Sequence, residues 1–326
     1  MADGSVAPEL HISELKSFKR CKRRWALSEL AWLQPQKLSM PLVLGSAIHK
    51  GLEAWHRTDD YDAMIAAFDS YMEEASTPLR VDTPWLYVEQ EADLIENRDL
   101  GIIMLDGYVA RYNPEEFRVG RAGGVPLLEI EFRMPILRPT GEEYSKKYAW
   151  HPTRIAWEFT GTMDGVVVDE YGYWILERKT TTKTNADYLR LDDQNVAYMA
   201  FAILKWPKIQ PQLRGVLYDF LRKTKPGPRV KAPLFFRERI YRNKHEIDSM
   251  MEQIFYVVQD MERVIADPDH YAYPTPTQDC SWDCSYKTIC MAMNNGTDVP
   301  TLIEASYKYQ QGRMCLPQLW EPQNRE

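Results

Sequence analysis

No stretch of about 18 consecutive apolar residues occurs in the 326-residue chain, which excludes a helical membrane span. The first residues, MADGSVAPELHISELK, lack a basic region followed by an apolar core, so no secretory signal is expected. A cytoplasmic setting follows. Disulfides are rare there, so the five cysteines need another explanation. Positive charge is also short. Lys and Arg number 40 against 47 Asp and Glu, a formal net charge of −7. That argues against a protein that coats nucleic acid through its overall charge, but a local basic groove can sit on an acidic body. No internal repeat, low-complexity tract, clean linker or helicase motif is apparent.

What is present suits a soluble globular chain. Hydrophobic residues at 44% and charged residues at 27% are enough for a sizeable core. A helix is expected from Ser13, its N-cap, to Trp32, with Leu15, Phe18, Cys21 and Trp25 on one face. Lys16, Lys19, Arg20, Lys22, Arg23 and Arg24 make it basic, so it is either a solvated face or a phosphate-contacting one. Small residues Gly45, Ser46 and Ala47 lead into a second helix, which carries His49 and Glu53 one turn apart. Further helices are expected over 61–74 and 85–112.

The pattern then changes. Leu127 to Met134 alternates, and 155–169 and 173–179 read as two strands joined by the turn Asp169-Glu170-Tyr171-Gly172. A helix over 186–205, strands over 213–221 and 234–240, and a helix over 242–265 follow. The last sixty residues read as irregular. Helices, then a β-rich core with helices, then this tail indicate an α/β fold with an N-terminal helical extension.

The hairpin carries the chemistry. Asp164 in Gly161-Thr162-Met163-Asp164-Gly165 and Glu177 in Trp174-Ile175-Leu176-Glu177-Arg178-Lys179 come side by side if the chain turns near Tyr171. Glu177 and Lys179, two apart, share a face. Two carboxylates can hold a hard cation such as Mg²⁺ or Mn²⁺ through oxygen. Such a cation polarises a phosphate and lowers the pKa of a water, and a lysine can neutralise developing charge. An acidic residue two before a lysine is also a common surface ion pair, so the spacing alone is a weak signal. Glu129, on the preceding strand, is a weaker candidate near the site, with a solvated strand face as the favoured reading.

Four blocks in order give the hairpin its context, and through them the sequence resembles the PD-(D/E)XK nuclease superfamily and its RecB-like branch. Gly45-Ser46-Ala47-Ile48-His49 is similar to the first motif, Gly161-Thr162-Met163-Asp164 to the second, Glu177-Arg178-Lys179-Thr180 to the third, and Gln194-Asn195-Val196-Ala197-Tyr198 to the helix that follows. The resemblance implies a restriction-endonuclease-like mixed sheet flanked by helices. It implies His49, Asp164, Glu177 and the carbonyl of Arg178 as ligands of Mg²⁺ or Mn²⁺. It implies Asp164, Glu177 and Lys179 as catalytic residues, with Gln194 and Tyr198 contacting DNA or positioning the lysine.

Cys280, Cys284 and Cys290 fall within eleven residues, and Cys21 could complete a four-thiolate site for zinc or a [4Fe–4S] cluster. The layout is similar to the iron–sulfur subgroup of RecB-like nucleases, which includes AddB-type and CRISPR-associated nucleases. In these, one cysteine precedes the nuclease motifs and three follow. Two features depart from that pattern: three residues separate Cys280 and Cys284, and Lys22 follows Cys21 where proline is common. Cys315 stands apart as an ordinary free cysteine. On this reading 1–326 is one nuclease domain. It has a helical part over 13–112, a core over 120–270, and a tail over 271–326 packed on the N-terminal helix.

The expected activity is a metal-dependent DNA exonuclease of phage or prokaryotic type. It would act on single-stranded ends in recombination, repair or CRISPR-type processing, with any helicase supplied by a partner. Lys16 to Arg24 and Arg222-Lys223-Thr224-Lys225 could guide the strand. The alternatives are a non-catalytic DNA-binding scaffold of the same fold and a zinc-stabilised protein without nuclease activity.

Overall fold

A computed structural model describes residues 9–136, 157–182, 187–228, 230 and 233–309. Cys315, the strand residues expected at 155–156 and the polar stretch 183–186 lie outside the described residues. Two compact units are present. One is built from 1–38, 133–161 and 251–326, the other from 39–132 and 162–250. No helix among the described residues is long and apolar enough to cross a membrane.

The second unit begins with three helices, α1 (Met40–Thr58), α2 (Tyr61–Asp82) and α3 (Pro84–Tyr112). Asp59 in the left-handed conformation ends α1, and the Asp60 side chain caps the next helix through the N–H groups of Asp62 and Ala63. α2 runs through to Asp82, eight residues beyond the expected Glu74. Pro78 does not stop it, and buried Met72, Ser76 and Leu79 show that packing outweighs the lost hydrogen bond. Gly51 and Gly101 allow close packing. A Cβ at Gly101 would meet the Phe68 ring at 2.3 Å.

The sheet of this unit is mixed. Strand β1 (Glu158–Asp169) enters the unit at Thr162 and pairs antiparallel with β2 (Gly172–Thr181). β2 pairs parallel with β3 (Leu213–Arg222), which pairs antiparallel with β4 (Phe235–Tyr241). The crossover from β2 to β3 uses a 3-10 turn (Asp187–Leu191) and helix α4 (Asp193–Lys205), where a single helix was expected. Asp192 makes the break, because its side chain accepts from Gln194 N–H as an N-cap. Val167, Trp174, Leu176, Leu217 and Phe117 form one buried cluster of this layer. Helices flanking a mixed sheet make the fold α/β, with the restriction-endonuclease-like architecture that the four motifs implied.

A buried ionic network lies within the same unit. The Arg237 guanidinium bridges Asp219 (3.1 Å) and Glu115 (2.6 Å) and stacks 3.7 Å from the Tyr112 ring centroid. Tyr108 donates to Asp219 at 2.7 Å. Asp219 is wholly buried, so each carboxylate oxygen needs these partners.

In the first unit, Glu9–His11 pairs parallel with Glu158–Thr160, and Arg133 bridges Glu9 and Glu158. The expected 13–32 helix is interrupted. Ile12–Arg20 is helical, with His11 rather than Ser13 at its N-cap, and Cys21 is extended (φ −163°, ψ 114°). A short helix Lys22–Trp25 and a π-turn follow. Much of the tail expected to be irregular is ordered, with helices Lys287–Asn295 and Val299–Ser306 and a strand Tyr307–Tyr309 paired with Leu33–Pro35. Local capping explains this. Asp298 accepts from Thr301 N–H, Pro300 sits in the first turn, and Gly296 closes the preceding helix with φ +75°.

Gly215 gives a direct test of the sheet. It sits where the β2–β3 register shifts, with φ +158°, and a Cβ there would lie 2.1 Å from the Ile240 carbonyl oxygen of β4. Gly215→Ala is expected to cost about 3 kcal/mol, the upper range for overpacking. Its melting temperature by calorimetry should fall by several degrees, and an unchanged value would contradict this strand register.

Candidate metal centre

The hairpin register brings the first site residues together. Gly165 pairs with Leu176, and one step further along the ladder come Asp164 and Glu177. Both are buried, Asp164 8% and Glu177 3% exposed. α1 adds His49, whose Nδ1 lies 3.3 Å from Asp164 Oδ1. Gly45, one turn before His49, lets this helix approach, since a Cβ there would sit 3.1 Å from Thr180 Oγ1 on β2. Asp164 Oδ2 accepts from the Arg178 backbone N–H at 2.6 Å.

Lys179 pairs with Glu177 and also donates to Gln194 Oε1 at 3.2 Å. Gln194 Nε2 donates to the Tyr198 hydroxyl at 3.1 Å. Tyr198 is itself buried, edge-on against Phe132, and its hydroxyl meets the site through Gln194. The α4 pair is therefore placed to orient Lys179.

One member was only the weaker candidate from the sequence, which favoured a solvated face for it. Glu129 is not on a solvated face. Ligand atoms of His49, Glu129 and Asp164 all lie within 4.8 Å of one another. Glu129 has φ +46°, a left-handed bend that interrupts the alternation of its strand and re-aims the side chain. For a non-glycine residue such a conformation costs about 1–3 kcal/mol and clusters at functional sites. The sequence held one trace of it, adjacent Leu127 and Leu128, both buried where alternation would expose one. Glu129 Oε1 is buried with no hydrogen-bond partner among the described residues. A buried acceptor left unmatched beside a second carboxylate and an imidazole suits a hard divalent cation.

The electrostatics fit that reading. Burial alone would raise Asp164, but His49 and Arg178 outweigh it and hold the carboxyl at about 2. Burial would lower His49, and the Asp164 carboxylate more than reverses this, so its pKa lies above the ordinary value. Glu177 is raised by burial, with Asp164 adding to it against the pull of Lys179. Glu129 is raised by burial and by Asp164. Burial opposes the charge on Lys179, and Glu177 overcomes it, so the ammonium is retained. The Arg178 guanidinium is buried, and among the described residues no group accepts from its three nitrogens. Its charge adds to the field that keeps Asp164 ionised.

The first unit holds a second cluster. Cys21, Cys280, Cys284 and Cys290 line one cavity of about 590 Å³. Backbone N–H groups of Arg24 and Thr275 point at Cys21 Sγ (3.5 and 3.4 Å), and that of Thr277 at Cys280 Sγ (3.4 Å). Burial raises the Cys284 thiol, with Cys280 and Cys21 adding to the rise. The basic residues here work within the unit. Arg20 and Arg24 pair with Asp283, and Arg23 donates to Asn294 and to Cys290 Sγ. They bind tail to helix, so of the two readings of this basic face neither is complete.

Residues 9–291 match the family model described as the PD-(D/E)XK nuclease superfamily. No curated protein matches the chain.

At this centre the proton on His49 would compete with a cation. Excess Mn²⁺ should stabilise the fold at alkaline pH by about 2.7 kcal/mol at a hundredfold excess over Kd, read as a rise in melting temperature. Because the His49 pKa lies above 6.5, the gain should shrink as pH falls through that raised value. Asp164→Asn should abolish it. A gain that is the same at all pH values, or that survives in the variant, would contradict the assignment of these ligands.

Proposed function

The chain belongs to the PD-(D/E)XK nuclease superfamily, and from that premise we propose that it hydrolyses DNA phosphodiester bonds as an exonuclease on single-stranded ends, using Mg²⁺ or Mn²⁺. The observation that carries the reading is the convergence of His49, Glu129 and Asp164 beside the Glu177–Lys179 pair. His49, Glu129, Asp164 and Glu177 would hold the cation, with the Arg178 carbonyl as a further ligand. A bound divalent cation polarises the phosphate and lowers the pKa of a water. Lys179, kept protonated by Glu177 and oriented by Gln194, neutralises charge developing on the phosphate. Tyr198 fixes Gln194. A non-catalytic scaffold has no use for so costly a group of buried carboxylates. The preference for single-stranded ends, and a place in recombination, repair or CRISPR-type processing beside a helicase partner, rest on the RecB-like resemblance. So does a phage or prokaryotic cytoplasmic setting.

The four cysteines fit a [4Fe–4S] cluster better than zinc. Around one zinc ion, Zn–S bonds of about 2.3 Å put the sulfurs about 3.8 Å apart. Here no three of the described cysteine sulfurs gather within 4.8 Å, and the cavity is roomy. N–H groups aimed at Cys21 and Cys280 suit the partial negative charge of cluster thiolates. The cluster would be a staple joining Cys21 to the tail.

Two measurements test these readings. End-labelled single- and double-stranded DNA should be degraded with Mg²⁺ or Mn²⁺ and spared with EDTA, and Asp164→Asn and Lys179→Ala should each lose about 100-fold or more in rate. Cleavage retained by both variants would overturn the catalytic assignment. Anaerobically purified protein should be brown and contain iron, while Cys284→Ser should lose both and melt lower, because cluster-binding energy is folding energy. A colourless wild type containing zinc would overturn the cluster.

A further inference from the structure

Helix α3 has one face that the unit's own core leaves uncovered. Leu86, Leu94, Met104, Leu105 and Tyr108 are buried. On another side Trp85, Val88, Ala92 and Ile95 are exposed, Trp85 by 65%, Val88 by 73% and Ile95 by 58%. Their spacing of three, four and three is that of the a and d positions at which coiled-coil helices meet. Single exposed apolar residues are ordinary, but a row of four at heptad spacing with a tryptophan at its head is a contiguous patch.

Charge says what the patch receives. With Trp85 at an a position, Glu89 and Glu96 fall at e and Glu91 at g, the positions that choose a coiled-coil partner. The surroundings reinforce them. From Tyr61 to Tyr112 there are eleven acidic and three basic residues, a net −8, although the whole chain carries only −7. Two of the three basic residues, Arg80 and Arg98, are bound to Glu73 and Asp69 on α2. The acidity of the chain is therefore concentrated on this helical pair.

We propose that this face of α3 docks an amphipathic helix of a partner protein whose apolar stripe is flanked by Lys and Arg. Trp85 is the anchor, since large aromatic side chains dominate interface energies. Glu89, Glu91 and Glu96 meet the basic flanks and set the register. A second copy of this chain is the wrong occupant, because a two-fold pairing lays like charges against each other. Nucleic acid is repelled by the same field. None of the four apolar residues belongs to the His49–Glu129–Asp164 cluster, so the partner recruits the protein through side chains the metal centre does not use.

The full-length protein can be titrated with two fluorescein-labelled three-heptad peptides and followed by anisotropy at low and high salt. Both carry Leu at a and d. One carries Lys at e and g, the other Glu. The Lys peptide should bind at least about tenfold more tightly than the Glu peptide, with the difference shrinking in high salt. The Trp85→Ala, Ile95→Ala double variant should bind it at least about tenfold more weakly with an unchanged melting temperature, as expected for exposed positions. A second variant, Glu89→Lys, Glu91→Lys, Glu96→Lys, should invert the preference between peptides. Equal binding of the two peptides, no binding of the Lys peptide, or indifference to both variants would overturn the proposal. So would sedimentation showing a homodimer of the wild type that Trp85→Ala abolishes.

Discussion

Crowding acidic side chains inside a protein is expensive, and the arrangement of the second unit follows from how that cost is met. Asp164 lies near Glu129 on one side and interacts with Glu177 on the other, and Asp164 and Glu177 are buried. Isolated ionised carboxylates at such depth would take up protons instead. Here each has a different compensation. Asp164 receives a backbone N–H, an imidazole and the field of Arg178. Glu177 receives Lys179. Glu129 has Lys50 at 3.8 Å from one oxygen and, among the described residues, no hydrogen-bond partner for the other. Protein groups thus meet most of the cost, and a divalent cation would supply the remainder while serving as the reagent.

The hairpin is what makes the arrangement possible, and it was legible because its cause is local. Asp169-Glu170-Tyr171-Gly172 turns the chain, β-branched and aromatic residues make the strands, and the two-residue period then fixes which side chains share a face. The placement of Asp164 opposite Glu177 follows from counting. His49 needed the resemblance, since nothing in a lone helical histidine says that its helix packs on β2. Glu129 was legible only as a weaker candidate, because alternation favoured a solvated face and no local signal announces its left-handed backbone. The same limit appears at Cys21, where helical periodicity continues but the backbone turns extended. The partner at that bend comes from the tail, where the Thr275 backbone N–H donates to Cys21 Sγ from 254 positions away.

The two units divide the chemistry between them. One carries the acidic centre and the ionic network around Arg237, the other the cysteine cavity and the basic helix that binds the tail. Segregation of charge goes further, with α2 and α3 carrying the chain's acidity. Outside 61–112 the chain carries 37 basic and 36 acidic residues, so its overall acidity and a DNA substrate are compatible.

The central claim is that His49, Glu129 and Asp164 together bind the divalent cation that cleavage needs. Anomalous diffraction from crystals grown with Mn²⁺ locates the ion without reference to activity. One strong peak is expected, in coordination contact with His49 and with the Asp164 and Glu129 carboxylates. No peak there, with Mn²⁺ bound elsewhere or not at all, would contradict it.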